Sequence, residues 1–206
     1  MPSAQPMIES EVGTLDKGAI KEAFAAAAPE IEKCVQQGRR ERQPLLGGSI
    51  DLFLRIGTEG DVRWAYLSSS TLGDHLSEKC IVDAMRARSW PKPYGGKEGQ
   101  TTQQLELGEP DARPPVPWTE ADLGAGYRRV ASGLHECKRR AGTGPMQVTF
   151  YVEPSADGRE GRAKAAGVAV SDEKGPAAVD CAVKTVLKAH YPSPGSYAAK
   201  ASVHVE

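Results

Sequence analysis

The chain has 206 residues, of which 39% are hydrophobic, 26% charged and 6% aromatic, giving material for an aliphatic core and length for one large or two small domains. Lys and Arg number 26 against 27 Asp and Glu, a formal net charge of −1. That balance excludes non-specific nucleic-acid binding, which needs surplus cations to displace counterions, and offers nothing to hold an acidic membrane surface.

Residues 1–15 read as a flexible tail poor in large apolar residues. They lack the basic start and apolar stretch of a secretory signal, so the start alone points to the cytosol unless it has been trimmed. No run of about eighteen apolar residues is present, so no membrane span is expected. From Lys17 to about Gln37 the apolar spacing of Ile20, Phe24, Ala27 and Ile31 predicts a helix, with a kink or restart at Pro29. Ile50, Leu52, Leu54 and Ile56 alternate with Asp51, Phe53 and Arg55, which predicts a strand with one buried face. Gly57 to Gly60 is a hairpin loop and Val62 to Leu67 the returning strand. Thr71 and Asp74 have capping-box spacing ahead of a helix from about His75 to Arg88. Pro91 and Pro93 end it, and Thr101 to Leu107 makes a last strand.

Glu109 to Pro117 then holds four prolines in nine residues, an extended spacer. Thr119 and Asp122 cap a helix running to about Arg140, Met146 to Val152 alternate, and residues 154–158 turn the chain. Ala163 to Val170 returns, Gly175 and Pro176 open another helix, and Ala198 to Val205 closes.

The second series repeats the first. Phe24 and Ile31 precede Cys34 by ten and three residues, as Tyr127 and Leu134 precede Cys137. Trp90 and Tyr191 each fall ten residues after a cysteine, Cys80 and Cys181, and each is followed by Pro-x-Pro. The expected architecture is therefore α+β: two tandem α-β-β-α-β modules, each a three-stranded antiparallel sheet with two helices packed on it. The divisions fall at 1–15 (tail), 16–108, 109–118 (linker) and 119–206.

One cysteine lies late in the first helix of each copy and the other early in the second helix. Helices packed side by side on a sheet bring such positions together, so one reading is a disulfide in each copy, Cys34–Cys80 and Cys137–Cys181. Each would close a loop of about 45 residues, worth about 4 kcal/mol in the chain-entropy model, and would imply an oxidising compartment. Buried free thiols are the bland alternative. Zinc is a third, with little behind it: there is no Cys-x-x-Cys, and the histidine of His135-x-Cys137 is replaced by Glu32 in the first copy.

No catalytic constellation emerges, no metal site and no cofactor motif. His75, His135, His190 and His204 are scattered; Ser68 to Thr71 has no nucleophile elbow around it; the Gly47-Gly48 and Gly95-Gly96 pairs are not phosphate loops. Arg39, Arg40 and Arg42, like Lys138 to Arg140, sit where cations complement a helix C-terminus.

Together the landmarks resemble a known family. Gly47 to Ile56, Gly60-Asp-Val62, Ser69-Ser-Thr-Leu-Gly-Asp74, Cys80-Ile81 and Trp90-Pro-Lys-Pro-Tyr-Gly-Gly96 are similar to the AgmX/PglI C-terminal domain family of myxobacteria, a branch of the TonB C-terminal-like fold. Val12 to Lys17 resembles the stretch that often precedes it. The second copy keeps the cysteines and Tyr191-Pro-Ser-Pro194 but departs at Val170 to Gly175 and at Ser196-Tyr197, as a diverged duplicate. The resemblance implies a non-enzymatic periplasmic module of envelope machinery, such as gliding motility or TonB-type coupling, with envelope proteins as partners. TonB-like domains bind partner segments by adding a strand, and a three-stranded sheet has open edges for this. The expected edges are Thr101, Gln103, Leu105 and Leu107 in the first copy and Ala199, Ala201, Val203 and Val205 in the second; the same edges allow self-association. The membrane anchor and stalk of TonB have no counterpart in these residues, which weakens an energy-transducing role. The other expectation is a secreted or lipid-anchored binder of a cell-wall or polysaccharide ligand, with Trp64, Trp90 or Trp118 stacking on sugars.

Overall fold

The computed structural model describes residues 12–108 and 113–206. It is mixed α+β, with four helices and two sheets among the described residues. The first half contains α1 (Lys17–Glu41), β1 (Gly48–Ile56), β2 (Val62–Ser70), α2 (His75–Arg86) and β3 (Gly99–Leu107). The second contains β4 (Val116–Trp118), α3 (Gly126–Ala141), β5 (Met146–Pro154), β6 (Glu160–Val170), α4 (Pro176–Leu187), β7 (His190–Pro192) and β8 (Ala199–Val205).

Helix α1 is capped by Asp16, whose carboxylate accepts the Ala19 N–H at 2.7 Å. Its apolar positions recur every three or four residues, burying Ile20, Phe24, Ala27, Ile31, Cys34 and Val35. The helix runs through Pro29 as one element and ends at Glu41, later than the sequence suggested. In β1, Ile50, Leu52, Leu54 and Ile56 are all buried on the face that joins α1 and α2 in one core. Gly60, at φ +86°, makes the tight hairpin to β2 possible. Helix α2 is capped by Asp74 itself, through Ser77 N–H. Thr71, expected as the cap, instead bridges to Ser49 at the start of β1.

The second half repeats this order with changes. Its sheet is five-stranded and mixed, β4-β8-β5-β6-β7, where three antiparallel strands were expected; the first half has the expected three, β2-β1-β3. Both extra strands are three residues long, below the length at which alternation is readable. Helix α3 begins at Gly126, not near Thr119: Thr119 and Asp122 hydrogen-bond to one another in a turn, and Gly124, at φ +62°, separates that turn from the helix.

The two halves share detailed equivalences. Trp90 packs on Phe24 at 4.7 Å and donates its indole N–H to Met85 O. Tyr191 packs on Phe150 at 5.2 Å and donates its hydroxyl to Val186 O, also five residues back. Strands β2 and β6 carry a bulge at matching places, at Arg63 opposite Arg55 and Ile56 and at Lys164 opposite Tyr151 and Val152.

The halves are packed together. Strand β5 is buried on both faces: Met146, Val148, Phe150 and Val152 join the second core, while Tyr151 joins the first. Ala165 and Ala169 of β6 also belong to the first core, their small side chains letting β2 and α2 approach closely. The Tyr151 hydroxyl accepts the Gly47 N–H at 3.2 Å and lies within hydrogen-bonding distance of the Leu45 and Gly47 carbonyls. Thr149 donates to Ser70 O, Gln43 to Glu153, and Arg55 pairs with Glu173.

Candidate functional site

Cys34 and Cys80 are joined in a disulfide between α1 and α2, with Cα atoms 5.7 Å apart; Cys137 and Cys181 are joined between α3 and α4 at 5.6 Å. Each bond ties the helix pair of its half across the sheet. No free cysteine is present.

The sheet edges are where another chain could pair, and they differ sharply. The β2 edge faces the second half. Its Ser70 N–H donates to the Gln147 side chain, Ser70 O accepts from Thr149, and Ala65 O accepts from Arg86. Strand β7 is three residues long and ends in Pro192. Strand β4 pairs in parallel with β8 from Ala199 to Ala201 and has Pro117 at its centre. Val116 donates its N–H to Ala198 O, so by alternation the Pro117 nitrogen faces away from β8, where it has no hydrogen to offer. Short strands and edge prolines are the devices by which proteins prevent unwanted pairing.

Strand β3 has none of these devices. It is nine residues long, pairs regularly with β1 from end to end, and contains one charged residue, Glu106, and no proline. Among the described residues its outer side is bridged at Gly13, in parallel to Gly99, with Leu15 packed beside that end, and none pairs with it from Gln100 to Leu107. Gly13 donates to Glu98 O, which sets the alternation. The N–H groups of Gln100, Thr102, Gln104 and Glu106 therefore point to the open side.

The residues expected as edges are placed as follows. Thr101, Gln103, Leu105 and Leu107 lie on β3 with side chains toward their own core, Leu107 buried and the other three half-buried. Ala199, Ala201, Val203 and Val205 are all buried in the second half, and the outer side of the first two is taken by β4. What either edge offers a partner is its main chain and the alternate side chains: Gln100, Thr102, Gln104 and Glu106 on β3.

The strand β4 went unread in the sequence, although a signal exists. The bridges Gly13–Gly99 and Val116–Ala199 occupy equivalent registers, opposite Ile56 and Val152, and Gly13 and Val116 each precede the first cysteine of their half by the same interval (34 − 13 and 137 − 116). Leu15, in contact with Gly99, takes the place that Trp118 takes in the second half. The lead-in to each first helix is thus part of the repeat. Residues 1–11 of the expected tail and 109–112 of the expected linker lie outside the described residues.

Of the tryptophans, Trp90 is buried and Trp118 half-buried against the second core, while Trp64 is exposed on β2. The histidines stay apart: His75 lies 3.4 Å from Asp180, and His190 bonds Glu160 and Arg162. Among the described residues no group of three His, Cys, Asp or Glu is arranged to hold a metal ion, and no helix is long and apolar enough to cross a membrane.

No protein-family model matches the chain, and neither does any curated protein or solved structure.

Proposed function

We propose that this chain is a non-enzymatic protein-interaction component of a bacterial cell envelope, built of two tandem TonB C-terminal-like modules, that binds an extended segment of a partner by strand addition to β3. The observation that carries the reading is the contrast among edges: β3 is long, regular and unpaired by any described residue from Gln100 to Leu107, while β2 faces the second half and has Ser70 and the Ala65 carbonyl engaged, and β4 and β7 are short and proline-bearing. Main-chain donors and acceptors supply the affinity in such pairing, and alternate side chains the selectivity. Two disulfides suit an oxidising compartment, in keeping with the periplasm. The resemblance to AgmX/PglI domains supplies the envelope setting, with gliding-motility or TonB-type machinery as the process.

The test is photo-crosslinking in the envelope fraction of the native host, with a photoreactive residue at Gln104 and mass-spectrometric mapping of the captured segment. A single extended segment is expected, and Gln104→Pro in a chain carrying the crosslinker at Thr102 should abolish capture, because it removes an outward N–H without touching the bonds to β1. Capture unaffected by the proline would refute the assignment of β3. The second reading, a glycan binder, rests on Trp64, exposed beside the stacked pair Phe53 and Tyr66 at 4.8 Å. Polysaccharide binding lost in Trp64→Ala, with no protein captured, would favour it.

A further inference from the structure

The side chains of β3 alternate between the two faces of the first sheet, exposed on the outer face and half-buried on the inner one. On the outer face Glu106 lies opposite Ser49 of β1, Gln104 opposite Asp51 and Thr102 opposite Phe53. On the inner face Leu105 lies opposite Ile50 and Gln103 opposite Leu52. A strand added to the open side continues these rows one step, about 4.8 Å, further out. Each of its side chains then stands directly against one side chain of β3.

Three of those positions dictate chemistry. Glu106 is exposed, carries the one charge of β3, and forms no ion pair with a described residue. Asp51, one strand further in, adds a second carboxylate without a described cation to that end of the face. A lysine or arginine opposite Glu106 meets an opposite charge, and an acid there meets a like one. At Thr102 the row runs inward to Phe53 and Tyr66, whose rings stack at 4.8 Å. Thr102 is short, so an aromatic ring opposite it packs on the threonine methyl and leans toward Phe53, extending the row. On the inner face Leu105 is half-buried at the margin of the first core, and an apolar residue opposite it widens that core. The Gln104 carbonyl, an outward acceptor, is held by the Gln103 side-chain amide at 2.9 Å, a bond that a partner N–H replaces.

Resting on the strand-addition reading of β3, we infer that the added segment is a basic, amphipathic strand: a lysine or arginine opposite Glu106, an aromatic residue opposite Thr102, and an apolar residue opposite Leu105. It runs antiparallel to β3, since parallel pairing is slightly less stable per residue, so the aromatic follows the cation by four residues.

The test is NMR titration of the oxidised full chain with the acetylated, amidated hexapeptide Lys-Leu-Thr-Val-Tyr-Val, with its variant carrying glutamate for lysine, and with its variant carrying serine for tyrosine. The lysine peptide should shift the amides of Thr102, Gln104 and Glu106, and Gln104→Pro should abolish its binding. The glutamate peptide should bind about fivefold more weakly and the serine peptide about threefold more weakly. In Glu106→Lys the charge preference should invert, the glutamate peptide now binding about fivefold tighter than the lysine peptide. Salt at about 0.5 M should narrow both charge differences, because the pair is exposed. Equal affinity for the lysine and glutamate peptides, an unchanged preference in Glu106→Lys, or equal affinity for the tyrosine and serine peptides, each with binding lost in Gln104→Pro, would overturn the partner chemistry and leave strand addition standing. No shift at Thr102, Gln104 and Glu106 with any peptide, or binding that survives Gln104→Pro, would overturn both.

Discussion

Glu78 of α2 reaches into the second half, where its carboxylate accepts the main-chain N–H of Val168 at 2.9 Å. The same group accepts the Ser70 hydroxyl at 2.6 Å and the Gly73 N–H at 3.4 Å, and it is buried. An acceptor on one half is thereby fixed to donors on both. Burial raises the pKa of Glu78, and the hydrogen bonds from Ser70, Val168 and Gly73 offset this only in part.

A pH dependence follows from that shift. The folded chain holds the Glu78 proton more tightly than the unfolded chain, so the contribution of this group is most favourable below the ordinary carboxyl value of 4.5 and is lost as pH rises through the raised native value. Glu78→Gln should therefore flatten the change in unfolding free energy between pH 5 and 7 relative to wild type, measured by urea denaturation. Parallel pH profiles for the two proteins would show that Glu78 does not titrate in this way. Glu78→Ala, which strands the Ser70 and Val168 donors, should cost about 2–4 kcal/mol at neutral pH.

Gly167 is the steric counterpart of Glu78. A Cβ built there would lie 2.1 Å from Glu78 Oε1, so any side chain must displace the carboxylate from its donors. Gly167→Ala is expected to destabilise by about 2–4 kcal/mol, read from the denaturant midpoint. Shortening the acid in Glu78→Asp should recover part of this, with a coupling energy of about 1 kcal/mol in the double-mutant cycle. Strict additivity would mean that the two positions do not meet in solution.

The interface between the halves was the least legible part of the fold, and the reason is physical. Alternation in β1 exposes its hidden face directly, because Asp51 and Arg55 mark the other side. In β5 the central positions facing the first half are Thr149 and Tyr151, flanked by Gln147 and Glu153 at the strand ends, and in β6 they are Ala165, Gly167 and Ala169, too small to announce a contact. Their collective lack of charge was the readable sign of a strand buried on both faces. Glu78 gave no such sign, since a glutamate on a helix is usually solvated. The cysteine positions, by contrast, recur in both halves at nearly equal spacing, and the strand from Thr101 to Leu107 was legible because Leu105 and Leu107 flank Glu106 in a stretch that stands clear of the preceding prolines and glycines.

The two disulfides close loops with sequence separations of 46 and 44 residues. In the chain-entropy model each contributes about 4 kcal/mol by restricting the unfolded chain. Cys34→Ala/Cys80→Ala and Cys137→Ala/Cys181→Ala should each lower the melting temperature by about 8–16 °C, and reductant should reproduce the loss in wild type while leaving the corresponding variant with only its remaining bond to lose. A wild-type melting temperature unaffected by full reduction, verified by thiol titration, would show that neither bond constrains the unfolded state.

Pro117 gives the sharpest test of how the edges are managed. Its nitrogen faces outward from β4, the last strand of the five-stranded sheet, while the N–H of Val116 is spent on Ala198 O at 3.0 Å. Pro117→Val restores an outward N–H and adds a strong strand former, turning a blunted edge into one that another chain can extend. Sedimentation velocity should then show concentration-dependent association of the oxidised variant at concentrations where wild type is unchanged, with the same melting temperature at low concentration. Val116→Pro is the control, because it removes the bond to Ala198 and should detach β4 from β8, lowering stability. If wild type itself associates through β3, Gln104→Pro should suppress that association and leave the part added by Pro117→Val intact. Identical sedimentation of Pro117→Val and wild type across the concentration range would show that the proline does not guard this edge, and the contrast between β4 and β3 would lose its meaning for partner binding.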